Sequence, residues 1–222
     1  MKKKKRLLSR SYRIQIMREI FSLSQRNIDG ESLLQKPLAR GDKLFNVSDN
    51  LNDPKFAPAS HDNEFYYAYG YASSAIFLLQ MINFGKSYIH KDSYIYPAIF
   101  CFRMYLEIVM KLIIQNLSDQ QNIKSDIEGH NLIEKWKIIR DNYMGLVVDD
   151  DIIAVENILN GFSAMDPEGT LFRYPKKLND KIGQNNLKFK PTLIDVAKLR
   201  ERFLQLYKFF EGLYDSVDPN NK

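Results

Sequence analysis

From residue 63 onward, apolar positions recur at helical spacing, and each polar break between them carries a residue that starts or stops a helix. Asp62 or Asn63 can cap a first helix running to about Phe84, and Gly85 ends it. Residues 86–92 read as a polar turn. Asp92 or Ser93 then precedes Pro97, whose missing N–H costs little in a first helical turn. The helix that follows runs to about Leu117 and is the most apolar in the chain. Residues 118–128 read as a polar loop. Gly129 and Asn131 open an amphipathic helix with Leu132, Trp136, Ile139 and Tyr143 on one side. Asp149, Asp150 and Asp151 stand where a helix N-terminus favours negative charge, ahead of an apolar stretch at 152–159. Asp166-Pro167-Glu168-Gly169 is a turn. Pro191 and Thr192 start the last helix, in which Val196, Leu199, Phe203, Leu206, Phe210 and Leu213 form a coiled-coil-type seam. That seam is shorter than three heptads, so packing into the chain's own bundle is its ordinary use.

Two segments break the helical pattern. Residues 171–174 and 187–190 alternate apolar and polar, which suits a small hairpin with a long polar connection. Before residue 62, Gly30, Pro37, Gly41, Pro54 and Pro58 punctuate a stretch rich in Asp, Asn and Ser. The pattern predicts an all-α fold: an antiparallel bundle of about five helices with a small β-hairpin insertion and an irregular N-terminal extension. The expected division is a basic tail and extension at 1–61, a helical bundle at 62–215 and a disordered tail at 216–222.

Composition narrows the class. Apolar residues make up 45% and aromatics 13% of the 222 residues, enough for a genuine core. The net charge of +5 comes from Lys2, Lys3, Lys4, Lys5 and Arg6; without them the chain carries 27 charges of each sign. The basicity therefore belongs to a tail, which adds sequence-independent phosphate affinity or is simply a lysine-rich start. Cys101 is the single cysteine, so neither an intrachain disulfide nor a cysteine-based zinc site is possible. It sits mid-helix between Phe100 and Phe102, as a buried inert thiol would. His61, His90 and His130 lack metal-ligand spacing, and no metal or cofactor is expected. Gly85-Lys86-Ser87 lacks the first glycine of a phosphate loop, since Gln80 stands in its place, and follows a helix where that loop follows a strand. No apolar run reaches the roughly 18 residues that span a bilayer, and no apolar stretch follows the basic start. A cytoplasmic protein without a membrane partner is expected.

Three features remain that can carry chemistry. Arg103, Glu107, Lys111 and Gln115 are spaced four apart on the central helix, forming one slowly drifting stripe. Glu107 can pair with Arg103 behind it and Lys111 ahead of it. The stripe is either an ordinary solvated face or the floor of a groove where its cations meet a phosphate or a carboxylate. Gly129-His130-Asn131-Leu132 places a histidine at a helix start, either as a neutral imidazole in a site or as a capping or packing group. Phe172-Arg173-Tyr174-Pro175 places an arginine among aromatics, where it can stack and fork, or pair with an acid such as Glu107 or Asp166.

Taken in this order, Glu107-Ile-Val-Met-Lys111, Gly129-His130-Asn131-Leu132 and Arg173-Tyr174-Pro175 resemble the HEPN domain superfamily over roughly residues 62–215. The resemblance implies an up-and-down helical bundle, a homodimer, and either an RNA-cutting activity or a non-catalytic binding role in toxin–antitoxin or phage-defence systems. Nuclease members carry an Arg, four to six residues and then a His. No histidine of this chain has an Arg at that distance before it, so no catalytic residue carries over. The resemblance then favours a non-catalytic module that binds a nucleotide, RNA or a cognate protein, with Arg103, Glu107, Lys111, His130, Arg173 and Tyr174 as its polar site. An atypical metal-independent endoribonuclease and an interaction protein with a buried salt-bridge network are the alternatives.

Overall fold

The computed structural model describes residues 63–84, 88–121, 128–143, 149–167, 169, 171–173 and 193–218, all within the unit Ala57–Lys222. These residues form five helices and no strand: α1 (Asn63–Phe84), α2 (Tyr88–Gln121), α3 (Leu132–Asn142), α4 (Asp149–Met165) and α5 (Val196–Val217). The chain is all-α in its described part.

The central helix is not the most apolar along its whole length, as α1 is more so, but it supplies the most core residues. α2 packs against α1, α3 and α5, while α1 also meets α5 and α3 meets α4. From Phe102 to Leu117 it contributes Tyr105, Leu106, Val109, Met110, Ile113 and Ile114 to a single core, all nearly or fully buried. α1 meets that core with small residues: Ala68, Ala72 and Ala75 are buried in line with Leu79 and Ile82. Alanines at this spacing let two helix backbones approach closely. The predicted seam of α5 is the buried one, with Phe203, Leu206, Phe210 and Leu213 followed by Val217. Phe203 stacks on Phe102 with ring centroids 3.8 Å apart. On α3, Leu132, Trp136 and Ile139 are buried, and Trp136 meets Phe209 and Phe210 edge-on.

Several boundaries differ from the sequence expectation. α2 begins at Tyr88, so part of the expected turn at 86–92 is helical and Pro97 lies inside the helix. An interior proline removes one backbone bond and crowds the carbonyl four residues back. Here that carbonyl belongs to Ser93, which is exposed together with Lys91 and Asp92. α2 also continues to Gln121, beyond the expected stop near Leu117. α4 includes Asp149, Asp150 and Asp151 as its first turn and runs on to Met165. α5 starts later than Pro191, with Asp195 as its cap, its side chain accepting from the Lys198 N–H at 3.0 Å. Its end at Val217 lies inside the expected C-terminal tail. Residues 171–173, expected to begin a hairpin, form a turn. Tyr174, the second hairpin segment and the whole N-terminal extension lie outside the described residues.

A candidate polar site along the central helix

The stripe on α2 is buried at one end and open at the other. Arg103 and Glu107 are 2% and 3% exposed, which contradicts a solvated face at those two positions. Lys111 is about one-third exposed and Gln115 is exposed. Arg103 Nη1 donates to Glu107 Oε2 at 3.3 Å, and Lys111 Nζ donates to Oε1 at 3.0 Å. The pairing expected from the spacing is therefore present on both sides of Glu107.

Two other chain segments complete the buried end. Arg103 Nη2 donates to the His130 carbonyl at 2.7 Å. Its Nε lies 3.9 Å from Asp166 Oδ2, an ionic contact beyond hydrogen-bond range. Asp166 is itself buried, and its Oδ1 accepts from the Leu171 N–H at 3.0 Å. The guanidinium also lies against Gly169. A Cβ on that residue would sit 2.6 Å from Arg103 Cζ, and its φ of +70° is one that favours glycine. The turn residue singled out in the sequence thus has two independent reasons to be Gly169: its backbone conformation and its closeness to the guanidinium.

At the open end stands His130. Its imidazole is 63% exposed, and Nδ1 lies 2.9 Å from Glu107 Oε1 and 3.1 Å from Oε2. Burial pushes the Glu107 carboxyl upward, but hydrogen bonds and charge from Lys111 and His130 outweigh it and hold the carboxyl below its usual range. An ionised carboxylate only accepts hydrogen bonds, so the proton of a neutral His130 sits on Nδ1 and Nε2 is the remaining ring nitrogen. Capping α3 falls to Asn131, whose Oδ1 accepts from the Ile133 and Glu134 N–H groups at 3.0 and 3.3 Å. His130 is thereby released from the capping role that the sequence left open.

The structure brings Arg103, Glu107, Lys111 and His130 together and places Arg173 at the far end. Arg173 is exposed, donates from Nε to the Gly169 carbonyl at 3.0 Å, and has Cζ 5.7 Å above the Phe100 ring. Phe100 and Lys111 are eleven positions apart on α2, about 16 Å along the axis, so Arg173 and Lys111 do not converge on one small ligand. Tyr174 lies outside the described residues.

Three contributors, Asp166, Gly169 and Lys135, escape a reading of the sequence alone. Asp166 and Gly169 mark a turn there, with nothing to show that the turn faces Arg103. Lys135 gives a weak signal: a cation in the second turn of a helix opposes the helix dipole. It is 2% exposed, and its Nζ donates to the carbonyls of Gly129 and Glu128 at 2.9 and 3.3 Å. Arg103 and Lys135 are thus buried on Glu107 and on backbone carbonyls, while Lys111 reaches solvent beside His130. Cys101, expected to be buried, is half-buried, and that burial pushes its thiol up. Among the described residues, no three His, Cys, Asp or Glu side chains are grouped to hold a metal ion, and no helix is long and apolar enough to cross a membrane. No family model matches this chain, and neither does any curated protein or solved structure.

Proposed function

We propose that the helical unit is a non-catalytic, HEPN-like binding module that takes a phosphate-bearing ligand, a nucleotide or RNA, at the open end of the α2 stripe. The observation that carries this reading is the pair Lys111 and His130. Both side chains reach solvent while bonded to one buried carboxylate, Glu107. Glu107 fixes their positions without exposing negative charge. Such an edge suits phosphate oxygens, which take charge-assisted hydrogen bonds from Lys Nζ. The fuller picture is an antiparallel bundle with a hairpin between residues 171 and 190, forming a cytoplasmic homodimer in a phage-defence or toxin–antitoxin setting, where a cognate protein is a further partner.

The test is equilibrium binding of the full chain to ATP and to a fluorescent single-stranded RNA. Lys111→Ala and His130→Ala should each weaken binding at least several-fold without moving the unfolding midpoint by much. Unchanged affinity in both variants rules out this edge. Light scattering tests the dimer.

One observation favours a second reading, an atypical metal-independent endoribonuclease. An imidazole held by a buried carboxylate through Nδ1 presents Nε2 to solvent, as a general acid–base does. Cleavage of transfer RNA by the full chain, lost in His130→Ala, would establish it; intact RNA after prolonged incubation leaves the binding module.

A further inference from the structure

Three successive backbone carbonyls just before α3 are each held by a buried cation. Lys135 Nζ takes those of Glu128 and Gly129, and Arg103 Nη2 takes that of His130. The two cations come from different helices, and each is 2% exposed. Lys135 is the less expected of the two. Its ammonium folds back past the start of its own helix, toward the positive end of the dipole, where an acidic residue is the favoured neighbour. A buried ammonium also needs fixed oxygen partners in place of water. A local choice that opposes both helix electrostatics and burial is the kind of position where a protein holds a functional group in place. The group held here is His130, which directly follows the two carbonyls that Lys135 takes.

We infer that Lys135 is a positioning residue: by holding the Glu128 and Gly129 carbonyls it sets the backbone from which His130 projects, and so keeps the His130 Nδ1–H on Glu107 and Nε2 toward solvent. Arg103 secures the next carbonyl, so the imidazole is fixed from both sides of its own peptide unit. The inference rests on the reading of His130 as the working group of the site. Its readout, however, is the imidazole itself and needs no ligand.

The experiment is nitrogen-15 NMR of the His130 ring in the full chain at a pH where the imidazole is neutral. In the wild type the Nδ1–H tautomer should dominate. In Lys135→Met, which keeps most of the stem and removes the ammonium, that tautomer should fall to a minority, as in a free imidazole. Lys137→Met, on the exposed side of the same helix, should leave it dominant. If Lys135→Met does not fold, Gly129→Ala serves. A Cβ there meets open space, yet its φ of +83° strains the same carbonyl row and leaves the core untouched. It should shift the tautomer in the same direction. A dominant Nδ1–H tautomer in folded Lys135→Met, or in Gly129→Ala when the first variant does not fold, overturns the inference. Failure of ATP or RNA to bind would overturn the binding proposal and leave this result standing.

Discussion

Tyr105 and Glu107 sit two residues apart on α2 and so face nearly opposite sides of it, and each meets a polar seam of opposite character. On one side Glu107 is enclosed by Arg103, Lys111 and His130 and is held below its usual range. On the other, the Tyr105 hydroxyl lies 3.3 Å from both the Tyr207 carbonyl and Glu211 Oε1. There burial and the charge of Asp215 push the Glu211 carboxyl up, against the hydrogen bonds from Tyr105 and Tyr207 that lower it. Burial opposes ionisation in both places. The cations around Glu107 decide the sign, and the neighbouring acid at Glu211 lets burial win. The cation-rich seam keeps its carboxylate ionised and leaves cationic groups facing outward, so it suits an anion. The phenol–carboxylate seam repels one.

The largest effect expected from breaking this contrast is at Arg103. Arg103→Met removes the cation that ties α2 to the His130 carbonyl and to Asp166, and leaves buried carboxylates short of a partner. A loss of about 3–5 kcal/mol in denaturant unfolding is expected. Retained stability would mean that the guanidinium does not organise the buried end. Next is Gly169→Ala, which adds a Cβ against the same guanidinium on a backbone that already favours glycine; calorimetry should show a loss of about 1–3 kcal/mol.

The two carboxylates give opposite pH signatures. Glu107 has a folded value below its ordinary 4.5, so its stabilisation is complete above that ordinary value and disappears as pH falls through the lower folded one. Glu211 has a folded value above its ordinary 4.5, so the ionised carboxyl lowers stability near neutrality, and that penalty fades as pH falls through the raised value toward 4.5. Thermal melts should therefore show Glu107→Gln less stable than the wild type at pH 7, with the gap closing in acid. Glu211→Gln, which keeps an acceptor for Tyr105, should melt higher than the wild type at pH 7, with its advantage shrinking on acidification. Two variants that move in the same direction would contradict the contrast. The smallest stability effect is that of Lys111→Ala, about 1 kcal/mol, the upper end of a half-exposed ion pair, since Arg103 and His130 still hold Glu107. A larger loss would place Lys111 in the structural part of the row.

How much of this the sequence discloses depends on the range of the interaction. Local signals are legible. Asn131 caps α3 with Leu132, Trp136 and Ile139 of the predicted face buried, while Tyr143 is half-buried at the C-cap; Phe203, Leu206, Phe210 and Leu213 of the predicted α5 seam are buried, with Val196 and Leu199 half-buried against the core; and Arg103, Glu107 and Lys111 pair as four-residue spacing requires. Boundaries are less legible, because end signals are local and weak: α2 runs on through Pro97 and α4 to Met165, past the residues that propensity marks as starts and stops. The long-range part of the site is hidden. Nothing in Asp166-Pro167-Glu168-Gly169 tells that this turn closes over Arg103, and Lys135 reads as a surface cation until its carbonyl partners are seen. Arg173 shows the same limit: its residue type suggests a site, while its contacts place it at Phe100, away from Lys111.

The central claim is that the open end of the α2 stripe binds phosphate. Amide and side-chain shift mapping of the full chain during titration with adenosine monophosphate, and then with a short single-stranded RNA, tests it most directly. The account predicts saturable shifts centred on His130 and Lys111, absent from Tyr207 and Glu211, and saturating only at several-fold higher ligand concentration in His130→Ala. Shifts centred on the Tyr105–Glu211 seam, or confined to Lys2, Lys3, Lys4, Lys5 and Arg6, would contradict it.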